Sequence, residues 1–459
     1  MQSMQLILAA AGPHPLTSLP FVVMLAAVAL LPLVPRFAHW WHENANKLLV
    51  SGVLSFVTLV IYAAGAGHPG DEPGLSPVLH VLDHAILLDY LPFTITLLAL
   101  YTIAGGIELT GTLRGRPATN VALLAVGTLL ASAIGTTGAA VLLVRPLLRA
   151  NAGRTRVVHT VMFFIFTVCN CGGLLLPIGD PPLLLGYMRG VPFLWTLSLV
   201  PHWLFVNVTL LVMYAVWDAV AFSHETDAVK APPAGGEARL GVAGARNFLL
   251  LALVVFSVAA VDPSRPIPGT SLHPPPYLRA TIALAATVAS WKLSWFTPRG
   301  LRERAKFDFH PIAEVAALFL GIFVTIQPVL ALLQDPATIA HFGLRTPESF
   351  YFTTGALSAF LDNAPTYVIF FESAKIFPLG DAPVVLADGT SVSHDLLAAV
   401  SCAAVFFGAA TYVGNGPNFL VKAIAEQSGV KMPTFFVYLF LSVVVLVPVL
   451  VASAFLLPW

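Results

Sequence analysis

Gly179-Asp180-Pro181-Pro182 interrupts one long apolar stretch of the chain, and Gly414-Asn415-Gly416-Pro417 interrupts another. Each lies downstream of a second interrupted stretch. Residues 118–149 are broken at their centre by Ile134-Gly-Thr-Thr-Gly-Ala-Ala140, and residues 347–377 by Leu361-Asp-Asn-Ala-Pro-Thr-Tyr367. Apolar runs that stop and restart in matching order read as a two-fold-repeated site for an ion or a substrate inside a membrane.

Composition supports the membrane assignment. Of 459 residues, 57% are hydrophobic and 10% charged, with a mean hydropathy of +0.84, far above a soluble globular chain. Lys plus Arg number 23, as do Asp plus Glu, so the net charge is zero. Without a charge excess or a charge-block tail, nucleic acid is not an expected partner. Membrane lipid and a small ion or carboxylate are. Cys169, Cys171 and Cys402 sit in apolar surroundings and read as small filler rather than a metal or redox pair. The opening MQSMQLILAAAG carries no basic region, so no cleaved signal peptide is expected.

A hydrocarbon core of about 30 Å takes roughly 20 apolar residues in helix. Crossing windows are expected at 19–36, 48–66, 90–112, 156–188, 195–222, 245–262, 277–297, 312–334, 395–428 and 434–457. In the other two stretches each half is too short to cross, which predicts re-entrant helical hairpins. Basic residues test the layout. If both hairpins enter and leave on one face, 18 of the 23 Lys and Arg fall on one side, leaving Arg189, Arg265, Arg279, Arg345 and Lys375 on the other. The richer side, with Lys230 among its members, is then cytoplasmic and both termini lie outside.

Each half now has three spans, a hairpin, one broken span and a last span: 17–222 and 245–458, joined by the polar linker Ser223–Gly244. An odd number of crossings per half forces the second half to be inverted. The expected fold is therefore an all-α polytopic membrane protein with an inverted-topology repeat, about ten transmembrane helices, two re-entrant hairpins and two discontinuous helices.

Where a helix stops at membrane depth, about four backbone groups lose their partners and must meet protein, water or an ion. Gly138, Gly179, Gly414 and Gly416 permit unusual backbone angles, whereas Pro181, Pro182, Pro365 and Pro417 stop helices. Thr136, Thr137, Asn363, Thr366, Asn415 and Asn418 add neutral oxygens suited to a hard cation such as Na⁺. Two carboxylates stand out, Asp180 and Asp362, because an ionisable group at membrane depth is a functional candidate by default. A second role stays open for each, capping of the half-helix that follows. Glu314 and Glu108 are weaker candidates. His159, His202 and His394 read as interfacial or hydrogen-bonded, and Arg145 as snorkelling to the interface. An enzyme is not expected, since neither His-Glu-x-x-His nor Gly-x-Ser-x-Gly occurs.

The run Asn170-Cys-Gly-Gly-Leu-Leu-Leu-Pro-Ile-Gly-Asp-Pro-Pro182, with Leu361-Asp-Asn-Ala-Pro-Thr366 and Val413-Gly-Asn-Gly-Pro-Asn418, resembles the ion transporter superfamily. Its NhaD-type sodium/proton antiporter and citrate-transporter branches are the nearest in motif. The resemblance covers nearly the whole chain. It implies a homodimer in a bacterial-type inner membrane and an elevator-like mechanism. Residues 1–116 and 245–345 would form the scaffold, 117–222 and 346–459 the moving transport part, and 223–244 a cytoplasmic linker. The divalent-anion branch carries Ser-Asn-Thr at both hairpin tips, where this chain has Gly135-Thr-Thr-Gly138 and Asp362-Asn-Ala-Pro365.

Charge then favours one substrate. A site for a di- or trivalent anion is not expected to hold unpaired acids, whereas buried carboxylates let a proton and a cation compete. Na⁺/H⁺ antiport through Asp180 and Asp362 is the favoured expectation, and Na⁺- or H⁺-coupled citrate or dicarboxylate transport the alternative. The expected site comprises Thr136, Thr137, Gly138, Asn170, Gly179, Asp180, Pro181, Asp362, Asn363, Ala364, Thr366, Gly414, Asn415, Gly416 and Asn418. Na⁺ is placed near Thr137, Asp180, Asp362, Asn363 and Asn415, with no other cofactor.

Overall fold

A computed structural model describes residues 14–67, 73–227, 239–261, 273–275, 277–333, 344–378, 380 and 382–459. The opening segment to residue 13, Lys230 and Arg265 lie outside the described residues.

Three membrane-length helices open the first half, α1 (Pro15–Leu33), α2 (Asn44–Ala63) and α3 (Leu75–Ala104), with a short helix, Pro35–His42, between the first two. Two arms follow, α4 (Pro117–Ile134) and α5 (Thr136–Ala150). A broken pair, α6 (Val158–Thr167) and α7 (Pro181–Met188), leads to the closing helix α8 (Phe193–Ser223). The second half repeats this order. It contains α9 (Asn247–Ala260), α10 (Leu278–Lys292) and α11 (His310–Leu332), the arms α12 (Pro347–Ser358) and α13 (Asn363–Ala374), the broken pair α14 (His394–Phe407) and α15 (Gly416–Gln427), and α16 (Phe435–Leu456). Proline sits in the first turn of α4, α7, α12 and α15, where its missing N–H costs no helical bond. Thr346 and Ser349 add a reciprocal capping box to α12.

Both hairpins turn back, and they do so from opposite ends. The Gly115 N–H donates to Ala150 O at 2.8 Å, so the base of α4 lies beside the end of α5. At 18 residues α4 is long and apolar enough to cross, yet it returns. In the second hairpin Phe377, just past α13, packs edge-on against Phe350 in the first turn of α12, with centroids 5.2 Å apart. The broken pair of the first half fixes the relative orientation. Arg154, just before α6, donates to Gly115 O at 2.9 Å, at the base of the first hairpin. The pair then traverses to Arg189, the C-cap of α7. Arg189 meets Glu372 near the end of α13 at 3.6 Å and Asp89 of α3 at 3.4 Å. The second hairpin therefore opens at the far end, as an inverted repeat requires.

Burial follows the same plan. Every residue of α6 from His159 to Thr167 is buried, as is α14 from Leu396 to Phe407, whereas α2, α8 and α16 expose Phe56, Val216 and Phe440. Broken helices belong inside the protein because their free backbone groups cannot face lipid. At the base of the first hairpin, Asp218 of α8 accepts from Arg154 Nη1 (3.1 Å) and Asn120 Nδ2 (3.0 Å) and pairs with His159 Nε2 (2.9 Å). With the Arg154 and Asp218 side chains 1% and 0% exposed, these extra bonds are what make a buried ion pair tolerable. Just beyond α8, burial pushes Glu225 up, but the Arg156 and Thr155 N–H groups and the Thr155 hydroxyl outweigh it and hold the carboxyl below its usual range.

Several expectations need correction. The third span begins at Leu75 rather than 90, with a π-helical segment at Asp83–Tyr90 whose Asp83, His84 and Asp89 interrupt the apolar signal. It also ends at Ala104, and Glu108–Thr110 (β1) instead pairs antiparallel with Gly241–Ala243 (β2), so part of the presumed linker is a strand. A second ribbon joins Pro383–Val385 (β3) to Ser391–Ser393 (β4). Among the described residues eight helices are long and apolar enough to cross, α4 included, while α9 and α10 have 14 and 15 residues, shorter than their windows.

Candidate functional site

Hairpin tips and broken helices meet through one repeated backbone bond. Gly135 takes a φ of +83° at the first tip and Asp362 one of +51° at the second, and each turn exposes the N–H of the helix that begins there. The Thr136 N–H donates to Gly179 O at 2.8 Å, and the Asn363 N–H donates to Gly414 O at 3.1 Å. Behind each acceptor the chain is folded tightly on itself. A Cβ at Gly179 would strike Gly173 O, and a Cβ at Gly414 would lie 2.6 Å from Gly408 O. Only glycine fits at either place.

The side chains that follow these glycines form the centre of the site. Asp180 occupies the N-cap position of α7 but makes no capping bond. Its Oδ1 accepts from Thr136 Oγ1 at 2.8 Å and from Asn415 Nδ2 at 3.0 Å, and its Oδ2 accepts from Asn363 Nδ2. One carboxylate thus gathers a residue from each hairpin and from the second break. Asp180, Thr136, Asn363 and Asn415 are all 3% exposed or less. Asn415 Nδ2 also reaches Asn170 Oδ1 and Cys169 O, both at 3.1 Å. Asn170 donates to Asn418 Oδ1 at 2.7 Å, and Asn418 donates to Gly408 O at 2.8 Å and Thr411 O at 2.9 Å. These asparagines partner carbonyls that the interrupted helices leave open. Among the described residues, the buried Asn363 Oδ1 has no hydrogen-bond partner.

Asp362 behaves differently. Its side chain accepts from the Ala364 N–H at 3.2 Å, so it caps its own half-helix, and its carbonyl accepts from Thr366 Oγ1 at 2.9 Å. Thr366 and Ala364 therefore serve the first turn of α13. Thr136, not the Thr137 of the expected Na⁺ set, reaches Asp180. Gly138 packs against Ala104 of α3, its Cβ position 3.3 Å from that methyl, and Pro181 and Gly416 open α7 and α15. The weaker candidates lie elsewhere. Glu314 pairs with Lys47 at 2.9 Å, and Glu108 lies near Arg149 and Arg304 at 3.7 and 4.0 Å. His202 stacks on Trp459, His394 accepts from Trp195 Nε1, and Arg145 donates to Lys306 O. Cys169, Cys171 and Cys402 are free and fully buried.

Three supporting residues escaped the sequence reading. Ser132 of α4 donates to Gly172 O and accepts from the Leu175 N–H, Ser358 of α12 donates to Ala404 O, and Thr411 donates to Ala359 O while accepting from Gly414 N–H. Each ties a hairpin arm or a break to its neighbour. The matched six-residue spacing of Gly173–Gly179 and Gly408–Gly414 was the available signal.

Four half-helices, α5, α7, α13 and α15, begin at this centre. Each N-terminus carries about half a positive charge, and Asp180 is the carboxylate they surround. Such a centre can hold an anion against helix starts and a proton or small cation against Asp180 and Asn363 Oδ1.

No curated protein matches the chain. A family model described as "putative citrate transport" matches residues 12–457, end to end across both repeats. By that match the chain belongs to this citrate transport family.

Proposed function

We propose that the protein moves a small di- or tricarboxylate of the citrate kind across the membrane, driven by a co-transported Na⁺ or proton that binds at Asp180. The observation that carries this reading is the convergence of four half-helix N-termini on a carboxylate already bonded by Thr136, Asn363 and Asn415. The charge argument for antiport assumed two unpaired acids facing the substrate. Asp362 instead caps its own helix and Asp180 accepts from three donors, so neither acid stands unpaired, and a Na⁺ or proton bound at Asp180 cancels its charge when the anion is present. The family match points the same way.

Transport in this reading alternates between ends. The parts spanning 117–222 and 346–459 carry the site past the parts spanning 1–116 and 245–345, in a homodimer of the inner membrane whose arginine-rich end is cytoplasmic and whose termini lie outside. The hairpins opening to opposite ends support this division. Na⁺/H⁺ antiport remains the second reading, favoured by the orphan Asn363 Oδ1 beside Asp180, an acceptor ready for a cation.

Proteoliposomes decide between them. Labelled citrate should accumulate when an inward Na⁺ or proton gradient is imposed, and abolishing the gradients should abolish accumulation. Na⁺-driven proton movement in vesicles that accumulate no citrate or other di- or tricarboxylate overturns the carboxylate reading in favour of antiport.

A further inference from the structure

A second candidate site lies on the outer side of the first hairpin. There α4 and α5 face Ile107 beyond α3, strands β1 and β2 and the start of α9 across an apolar groove of about 730 Å³. Ala122, Val126 and Leu130 of α4 form one wall, and Val242 and Phe248 stand opposite. Val126, Val242 and Phe248 remain 49%, 47% and 37% exposed, so the groove is open toward the bilayer. From Thr119 to Leu130 it follows α4 for about 16 Å at 1.5 Å per residue, about one leaflet of a hydrocarbon core roughly 30 Å thick.

At Thr119 the groove runs into a second cavity of about 400 Å³ bordered by Arg114, Arg116 and Arg239. Leu113, Thr119 and Leu240 line both spaces. The two differ sharply in chemistry, one apolar along its length and the other rich in guanidinium, and they share a wall.

We propose that this continuous groove binds one anionic glycerophospholipid, its phosphate on Arg116 and Arg239 and an acyl chain along α4. Inside a bilayer an apolar groove fills with lipid tails whatever their headgroup, so selection comes from the arginines. A planar guanidinium grips phosphate with paired hydrogen bonds, and basic pockets between transmembrane helices take acidic headgroups. A zwitterionic lipid brings its own ammonium and loses part of that attraction. Free phosphate satisfies only the arginine end, and an uncharged tail only the groove. The bound lipid bridges the first hairpin to β1, β2 and α9.

The test uses the purified full-length protein in a neutral detergent. Native mass spectrometry and thermal unfolding are recorded with phosphatidylglycerol, with phosphatidylcholine of the same chains, and with inorganic phosphate. For the unaltered protein, retention of phosphatidylglycerol should exceed that of phosphatidylcholine by about tenfold, with a matching rise in the unfolding midpoint. In the Arg116→Gln/Arg239→Gln double variant the preference should collapse to about twofold or less. Val126→Trp, which fills the groove and leaves the arginines in place, should lower retention of both lipids. Equal retention of the two lipids by the unaltered protein overturns the proposal. So does an undiminished preference in the double variant, or stabilisation by phosphate alone that equals that of the lipid. Should the double variant fail to fold, Val126→Trp still decides, because unchanged phosphatidylglycerol retention there removes the acyl-chain site.

Discussion

At the first break the Thr136 N–H bonds Gly179 O and Asp180 follows; at the second the Asn363 N–H bonds Gly414 O and Asn415 follows. The backbone is one plan used twice, down to the glycine pairs six residues apart that press against each other. Side-chain chemistry is not duplicated. In the first half the left-handed tip residue is Gly135 and the acid sits at the break. In the second half the acid, Asp362, occupies the left-handed tip and the break carries an amide. An exchange of this kind keeps both frames while giving the centre a single shared carboxylate. It also separates two jobs that a lone reading of "buried acid" would merge, since Asp180 receives donors from three elements and Asp362 spends its oxygen on its own helix.

Asp180→Asn makes the two breaks alike and should have the largest effect. Gradient-driven uptake in proteoliposomes should fall by about a hundredfold, near 3 kcal/mol of lost coupling, while the near-isosteric amide leaves the unfolding midpoint close to that of the parent. Undiminished coupled uptake would show that the asymmetry carries no function.

Gly179→Ala and Gly414→Ala probe the shared frame instead. Each methyl meets a carbonyl that cannot withdraw, so each should destabilise by about 1–3 kcal/mol, read as a lowered thermal midpoint, and the two should agree. A large loss at one site with none at the other would break the duplication. Gly135→Ala places a side chain at a φ of +83° and should cost about 1–2 kcal/mol, whereas the second half already tolerates Asp there through its cap.

The smallest effect is expected from Asp362→Asn. Asparagine caps nearly as well as aspartate and accepts left-handed angles, so stability should change by about 0.5 kcal/mol or less and coupled uptake should persist. Loss of uptake comparable to that of Asp180→Asn would restore Asp362 as a coupling acid and with it the antiport reading.

Much of this arrangement is written in the chain. Gly, Pro, Asp and Asn inside runs of Leu, Val and Ile have no business in a lipid-facing helix, so the four interruptions, the repeat and the hairpins are legible. What escaped did so for physical reasons. The start of α3 is hidden because Asp83, His84 and Asp89 look like a loop, although Arg189 neutralises Asp89. Thr136 and Thr137 are indistinguishable until the turn at Gly135 sets the helical phase. Ser132, Ser358 and Thr411 are unremarkable in sequence because hydroxyls in apolar helices normally bond their own preceding turn; here they reach across to other segments. Whether an Asp caps or coordinates depends on one rotamer, which no pattern encodes.

The three cysteines offer a practical consequence. Cys169, Cys171 and Cys402 are all enclosed by packed side chains with no exposed surface, so a water-borne maleimide finds no native thiol to modify in the folded chain. The unaltered protein is therefore already a silent background for site-directed labelling. A single cysteine introduced near either hairpin tip would report when the site opens to water at that end of the molecule, without first rebuilding the interior to remove the thiols nature left there.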